Sequence, residues 1–150
     1  MSRFAQSLYT ITITLWVGGL WTIGYLVAPL LFAKLGDRAL AGSIAGQLFA
    51  LMSWVGMGCA AYLIVYLFFA RGAAAMKSSV FWLVILMLLF TLAGHFGVQP
   101  IMAQLKLEAL PREVMDSILR DRFATWHGIA SVLYLLQSLL GLTLVLRQNR

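Results

Sequence analysis

Two histidines carry the most distinctive chemistry in this sequence, because both stand inside long uncharged apolar stretches. His95 lies sixteen residues before Pro111, and His127 lies sixteen residues after it. If the chain turns as a helical hairpin at Pro111, the helical rise of 1.5 Å per residue brings both imidazoles to about the same height. Ionisable side chains are costly inside a bilayer and are typical of functional sites there. The spacing therefore predicts a histidine pair that could share a transition metal or flank a haem.

Four further polar residues accompany the histidines. Thr91 and Ser131 each lie one turn deeper than a histidine and on its helix face, which predicts a second polar pair across the same seam. Gln99 and Gln47 come at a similar outer level, and hydroxyl or amide groups near a ligating imidazole orient its ring. The predicted cofactor-binding site therefore comprises His95, His127, Thr91, Ser131, Gln99 and Gln47, with the two histidines as metal ligands and no catalytic residue.

The same residues are also compatible with a protein that binds no ligand. Polar side chains in membrane bundles often hydrogen-bond across helices, for about 0.6 kcal/mol on average. A neutral histidine bonded to Thr91 or Ser131 would need no metal. The sequence leaves both interpretations open, with haem and copper as the ligands considered.

The elements that position these residues follow from composition and charge. Hydrophobic residues make up 62% of the 150 residues and charged residues 11%, against about 45–50% and 25% in soluble domains. A water-soluble globule needs more polar surface, which excludes a soluble enzyme, a disordered chain and a nucleic-acid binder despite the net charge of +6. Four uncharged stretches each exceed the roughly 20 residues that span a bilayer. The predicted fold is an all-α, integral membrane four-helix bundle, a single domain over residues 1–150 with spans at about 5–33, 40–69, 79–105 and 124–146.

The connection before the fourth span has a helical pattern of its own. Apolar residues recur at helical spacing through residues 111–123, and Pro111 suits the first turn of a helix. This predicts an amphipathic helix that continues into the fourth span, so that helices 3 and 4 form a hairpin projecting beyond the membrane. A separate interfacial helix is the alternative.

Charge gives a weak indication of orientation. Lys and Arg number five on the side of the termini and six on the other, which decides nothing by the positive-inside rule. The acidic residues break the tie, because all of them lie on the side opposite the termini: Asp37, Glu108, Glu113, Asp116 and Asp121. We therefore expect both termini in the cytoplasm.

Short motifs in all four stretches follow one another in a familiar order. They are Trp16-x-Gly18-Gly19, Gly46-Gln47-Leu48-Phe49, Gln99-Pro100-x-Met102 and Phe123-x-x-Trp126-His127-Gly128-x-x-Ser131. Together they resemble the four-span family classed as domain of unknown function 4149, whose eukaryotic relatives are called transmembrane protein 205 and are associated with resistance to platinum drugs. The resemblance implies a multi-pass protein of the bacterial inner membrane. The four-helix layout with histidines is also similar, at fold level only, to the copper-resistance D and membrane haem-handling families.

Three functions fit these observations. The first is a membrane protein that binds a haem or transition metal through the histidine pair. The second is a ligand-free structural or assembly subunit, a homo-oligomer or part of a membrane complex, that packs through small-residue faces such as Gly42-x-x-x-Gly46. The third is a small-solute or metal transporter. Enzyme motifs are not found in the sequence, so catalysis is not expected, and the lipid bilayer is the one partner that composition predicts.

Overall fold

The computed structural model describes residues 3–148, and four long helices account for most of them. Each is long and apolar enough to cross a membrane. The bounds are Arg3–Lys34 for α1, Arg38–Arg71 for α2, Ser79–Ala109 for α3 and Arg120–Arg147 for α4. No strand occurs between residues 3 and 148. The predicted all-α four-helix architecture is confirmed, and the chain is a multi-pass membrane protein.

Local signals in the sequence begin and end these helices. Asp37 Oδ1 accepts a hydrogen bond from Leu40 N (3.0 Å) at the start of α2, and Ser78 Oγ accepts one from Phe81 N (3.2 Å) at the start of α3. Both are N-caps that satisfy a free amide of the first turn. Gly72 ends α2 with a φ of +56°, a conformation that costs glycine little and other residues much.

Two helices contain a wider π-helical turn at the same place relative to a proline. In α1 this turn covers Thr22–Val27, and in α3 it covers Ala93–Val98. Pro29 and Pro100 each follow two residues after the turn ends. A proline donates no amide hydrogen bond, and its ring clashes with the carbonyl four residues earlier. Widening the preceding turn relieves that clash and keeps each helix continuous.

Helices α1 and α2 pack closely around the first glycine-containing motif. Each helix lies beside two others, α1 and α3 both packing against α2 and α4. Trp16 of α1 is fully buried against Gly56 of α2, where an added Cβ would come within 2.6 Å of the indole Nε1. Gly19 leaves room in the same way for the thioether of Met52. Small residues thus admit large neighbours between helices, as is usual in membrane bundles.

The connection between α3 and α4 corrects one expectation. The amphipathic helix predicted over residues 111–123 is wrong for most of its length, because Leu110–Leu119 contains only a short 3₁₀ turn at Val114–Asp116 and α4 begins at Arg120. The Ser117 hydroxyl donates to Val114 O (2.8 Å) and accepts from Leu119 N (3.1 Å). Such local bonds between side chain and backbone compete with helix formation, so the apolar spacing did not decide the structure.

Candidate functional site

Two contacts fix the register of α3 against α4. Gln137 Nε2 donates a hydrogen bond to Thr91 Oγ1 (2.7 Å), and both side chains are buried. Towards the outer end, Lys106 Nζ lies 5.7 Å from the centre of the Phe123 ring. Gln137 of α4 lies level with Thr91 of α3. Counting ten residues outward along each helix, His127 of α4 is level with residue 101 of α3. That is six residues, or about 9 Å, beyond His95.

The predicted histidine layer is therefore wrong. The expectation of equal heights assumed a hairpin that turns at Pro111, whereas the turn is the ten-residue connection Leu110–Leu119 and the register is centred near residue 114. The two histidines also meet different neighbours. His95 contacts α2, while His127 is exposed and stacks on Phe123 of its own helix, with ring centres 6.2 Å apart. One chain does not bring the two imidazoles to a common ligand.

The predicted pairing of Thr91 with Ser131 is also wrong. Thr91 is 5% exposed, donates to Met87 O (2.9 Å) and accepts from Gln137. Ser131 is exposed and donates only to His127 O (2.9 Å), one turn earlier in its own helix. Because the register differs by six residues from the expected one, the amide of Gln137 takes the place expected for the Ser131 hydroxyl.

His95 lies in the π turn of α3, in the seam between α3 and α2. The ring of Trp54 meets it edge to face with centres 5.3 Å apart, and Phe96 meets it in the same manner at 4.8 Å. The His95 ring is partly buried, and its Nδ1 is buried without a hydrogen-bond partner among residues 3–148. Buried polar atoms almost always have a partner, so this nitrogen is the feature of the seam that most needs an explanation.

The height of the two glutamines relative to His95 follows from the register of α3 against α2. Lys106 Nζ donates to Gly42 O (3.4 Å), which together with the Trp54–His95 contact fixes the register of α3 against α2. Gln99 then lies about 6 Å outward of His95, and Gln47 about 10 Å outward. Gln99 is partly buried and Gln47 is exposed. Of the six predicted site residues, His95 contacts α2, Thr91 bonds to α4, and His127 and Ser131 contact residues of their own helix, while the place of Gln99 and Gln47 beside His95 stays a prediction.

Several polar residues of the bundle were missed from the sequence. Tyr134 donates to Leu20 O across α4 and α1, Tyr25 donates to Ser138 Oγ (3.0 Å), and Trp21 Nε1 donates to Ser138 O (3.4 Å). Gln137 had a signal that could have been used, because an amide in the middle of an uncharged span needs a partner. Trp54 had none, since an aromatic residue in an apolar stretch is ordinary.

Comparison with known proteins identifies the family. Residues 11–111 match the family model of a domain of unknown function, DUF4149. The chain belongs to this family. The DUF4149 match covers His95, Gln99 and Gln47 and ends before α4, so His127 and Ser131 lie outside it. No curated protein and no solved structure matches the chain.

Proposed function

We propose that this DUF4149 protein is a ligand-binding protein of the membrane and that His95 holds its ligand, a haem or a copper-type transition metal, in the seam between α2 and α3. One observation carries the proposal, the buried Nδ1 of His95 that has no hydrogen-bond partner among residues 3–148. A neutral imidazole is a common ligand of haem iron and of copper. Its position in a π turn adds support, because such turns occur often at functional sites.

The surroundings of His95 suit a flat apolar ligand better than a compact metal cage. Trp54 and Phe96 flank the imidazole and are 58% and 59% exposed, so their ring faces are available beside the seam. Within residues 3–148 no group of three His, Cys, Asp or Glu side chains comes together. One chain therefore offers a single imidazole at this place, which would hold the iron of a haem or a copper ion, and we propose Gln99 and Gln47 as its outer neighbours.

The two histidines are far enough apart to serve as each other's control. Full-length protein is purified in mild detergent from its own membrane, together with His95→Ala and His127→Ala. Elemental mass spectrometry and the visible absorption spectrum are then recorded for all three. We expect about one iron or copper atom per chain in the wild type and in His127→Ala, and less than about a tenth of that in His95→Ala.

Three outcomes contradict this proposal: no metal in the wild type, loss in His127→Ala alone, or equal loss in both variants. Circular dichroism of each variant shows whether the helices are intact. A haem is distinguished from a bare metal by its Soret absorption band, which must disappear together with the iron.

A ligand-free assembly subunit is the second candidate function. Gly46, Gly97 and Gly128 are exposed, and outside the backbone of its own helix a Cβ added at any of them would meet no atom of residues 3–148 within 4 Å. Exposed glycines let a neighbouring helix approach closely, which favours a packed partner. This function requires that the wild type carry no metal and that neither histidine variant lose its partner.

We further propose that the protein resides in the bacterial inner membrane with both termini in the cytoplasm. Every acidic residue lies on the side opposite the termini, while Arg3, Arg71, Lys77 and Arg147 lie on the terminal side. The basic residues are almost equally divided between the two sides, so the distribution of the acidic residues alone supports this orientation. A reporter inserted in the Arg71–Lys77 connection must then give a cytoplasmic signal, and a periplasmic signal there overturns the assignment.

A further inference from the structure

A polar cavity of about 440 Å³ lies at the terminal end of the bundle, far from the His95 seam. The first turns of α1, the last turns of α2 and the end of α4 enclose it. Its polar lining consists of Gln6, Tyr9, Thr10, Tyr66, Arg71 and Gln148. None of these residues belongs to the site described above, and a cavity lined by a guanidinium, hydroxyls and amides is unusual in so apolar a chain.

The lining groups are held in place and have unused hydrogen-bonding capacity. Tyr9 and Tyr66 stack with ring centres 4.6 Å apart, and Tyr9 is 7% exposed. Neither tyrosine hydroxyl has a hydrogen-bond partner within residues 3–148. Gln148 Oε1 is buried there and is also without a partner. The cavity thus presents two phenolic donors beside the permanent charge of Arg71.

The charge of this end of the bundle selects an anion. Arg71 lies in the cavity wall, and Arg3, Lys77 and Arg147 are on the same side of the chain. All five acidic residues of the protein lie at the opposite end, at Asp37 and within residues 108–121. A concave site with cations and no carboxylate concentrates anions, more so beside a medium of low dielectric.

The position at the end of a span indicates where the anion comes from. Arg71 is the last residue of α2, and the apolar side chains of Leu67 and Ala70 form the rest of the cavity wall. Phe69, two residues before Arg71, is 87% exposed. A ligand seated here would have its charged part at Arg71 and apolar surface running away from it along the helix, which is the shape of a phospholipid.

We infer that this cavity binds the headgroup of an anionic glycerophospholipid, with Arg71, Tyr9 and Tyr66 holding the phosphate. Arginine and hydroxyl donors are the usual partners of a phosphate. This binding site is independent of the one proposed at His95.

The test uses the full-length protein after removal of bound lipid in detergent. Native mass spectrometry measures binding of phosphatidylglycerol and, separately, of phosphatidylcholine. The variants are Arg71→Gln and Tyr66→Phe, and Arg112→Gln removes the same charge from the opposite end as a matched control. We expect phosphatidylglycerol to bind at least tenfold more tightly than phosphatidylcholine, and Arg71→Gln to weaken it about tenfold, as loss of a charged hydrogen bond does.

Tyr66→Phe, which removes only a hydroxyl group, keeps the test informative if Arg71→Gln fails to fold. Tyr66→Phe keeps the ring stack and removes one donor, so a loss of about threefold or more is expected for phosphatidylglycerol alone. Equal binding of the two lipids, or equal effects of Arg71→Gln and Arg112→Gln, overturns the inference. Inorganic phosphate or glycerol 3-phosphate is added as a competitor, and displacement of the lipid at millimolar concentration would assign the cavity to a soluble phosphate instead.

Discussion

The π turns of α1 and α3 arise from the same local cause, but their polar atoms meet different surroundings in the bundle. Each ends two residues before a proline, and the third residue of each turn faces an aromatic ring from another helix. In α1 that residue is Gly24, covered by Tyr134 of α4. In α3 it is His95, in contact with Trp54 of α2.

The difference lies in how the polar atoms are satisfied. Around Gly24 the tyrosine hydroxyl bonds to Leu20 O, and Tyr25 and Trp21 both bond to Ser138. Around His95 the Nδ1 atom has no partner in the described chain. The widened turn of α1, with Gly24 packed under a hydrogen-bonded tyrosine, has a structural role, and we call it the closed turn. The corresponding turn of α3, with an imidazole, has a free donor or acceptor, which is what a binding site requires.

The largest expected effect breaks the closed turn. In Gly24→Ala the new Cβ overlaps the Tyr134 ring, which cannot move without loss of its hydrogen bond to Leu20 O. Overpacking of this kind costs about 1–3 kcal/mol. We expect the free energy of unfolding to fall by that amount, measured by SDS titration in mixed micelles.

The control for this substitution is Gly97→Ala in the π turn of α3. A Cβ added at Gly97 would meet no atom of the described chain within 4 Å apart from the backbone of its own helix. Alanine is also the better helix former, by up to about 1 kcal/mol, so this variant should be as stable as the wild type or more so. If both variants lose stability equally, the two turns are equally packed and the comparison fails.

The next effect concerns the aromatic residue above each turn. Tyr134→Phe keeps the ring and removes the hydroxyl that bonds to Leu20 O, for a loss of about 1 kcal/mol in the free energy of unfolding. Trp54 is 58% exposed and has no hydrogen bond to lose within residues 3–148. Trp54→Phe should therefore change the free energy of unfolding by less than about 0.5 kcal/mol. Thermal unfolding in one detergent ranks the two variants, and a larger loss for Trp54→Phe would contradict the assignment of the closed turn to α1.

Much of the fold was predictable, because a charge-free stretch longer than a bilayer is thick has few alternatives to a helix. The N-cap of α2 at Asp37 and the end at Gly72 follow rules that act within a few residues. The register between helices follows no such rule. It depends on which side chains meet across a seam, and the buried Thr91–Gln137 bond fixed it about six residues away from where symmetry about Pro111 placed it.

The candidate site was accordingly predicted only in part. His95 does lie at a helix–helix seam, but the partner helix is α2 rather than α4. A π turn adds a residue to one turn and so rotates every side chain that follows it, and the ordinary helical period used for the sequence does not include that rotation. Ser117 and its two backbone bonds ended the predicted amphipathic helix for a similarly local reason.

The smallest expected effect distinguishes a binding residue from a structural one. His95→Leu replaces the imidazole by an apolar side chain of similar volume and removes a buried nitrogen that has no partner in the described chain. In protein freed of haem and metal, the free energy of unfolding should be unchanged or raised by up to about 1 kcal/mol. His127→Leu, at an exposed position, is the matched control and should change the free energy of unfolding by less than about 0.5 kcal/mol. If His95→Leu instead costs more than about 1 kcal/mol in the metal-free protein, the imidazole stabilises the fold by itself. The turn in α3 would then be a second closed turn with a structural role, and the argument for a ligand at His95 would fail.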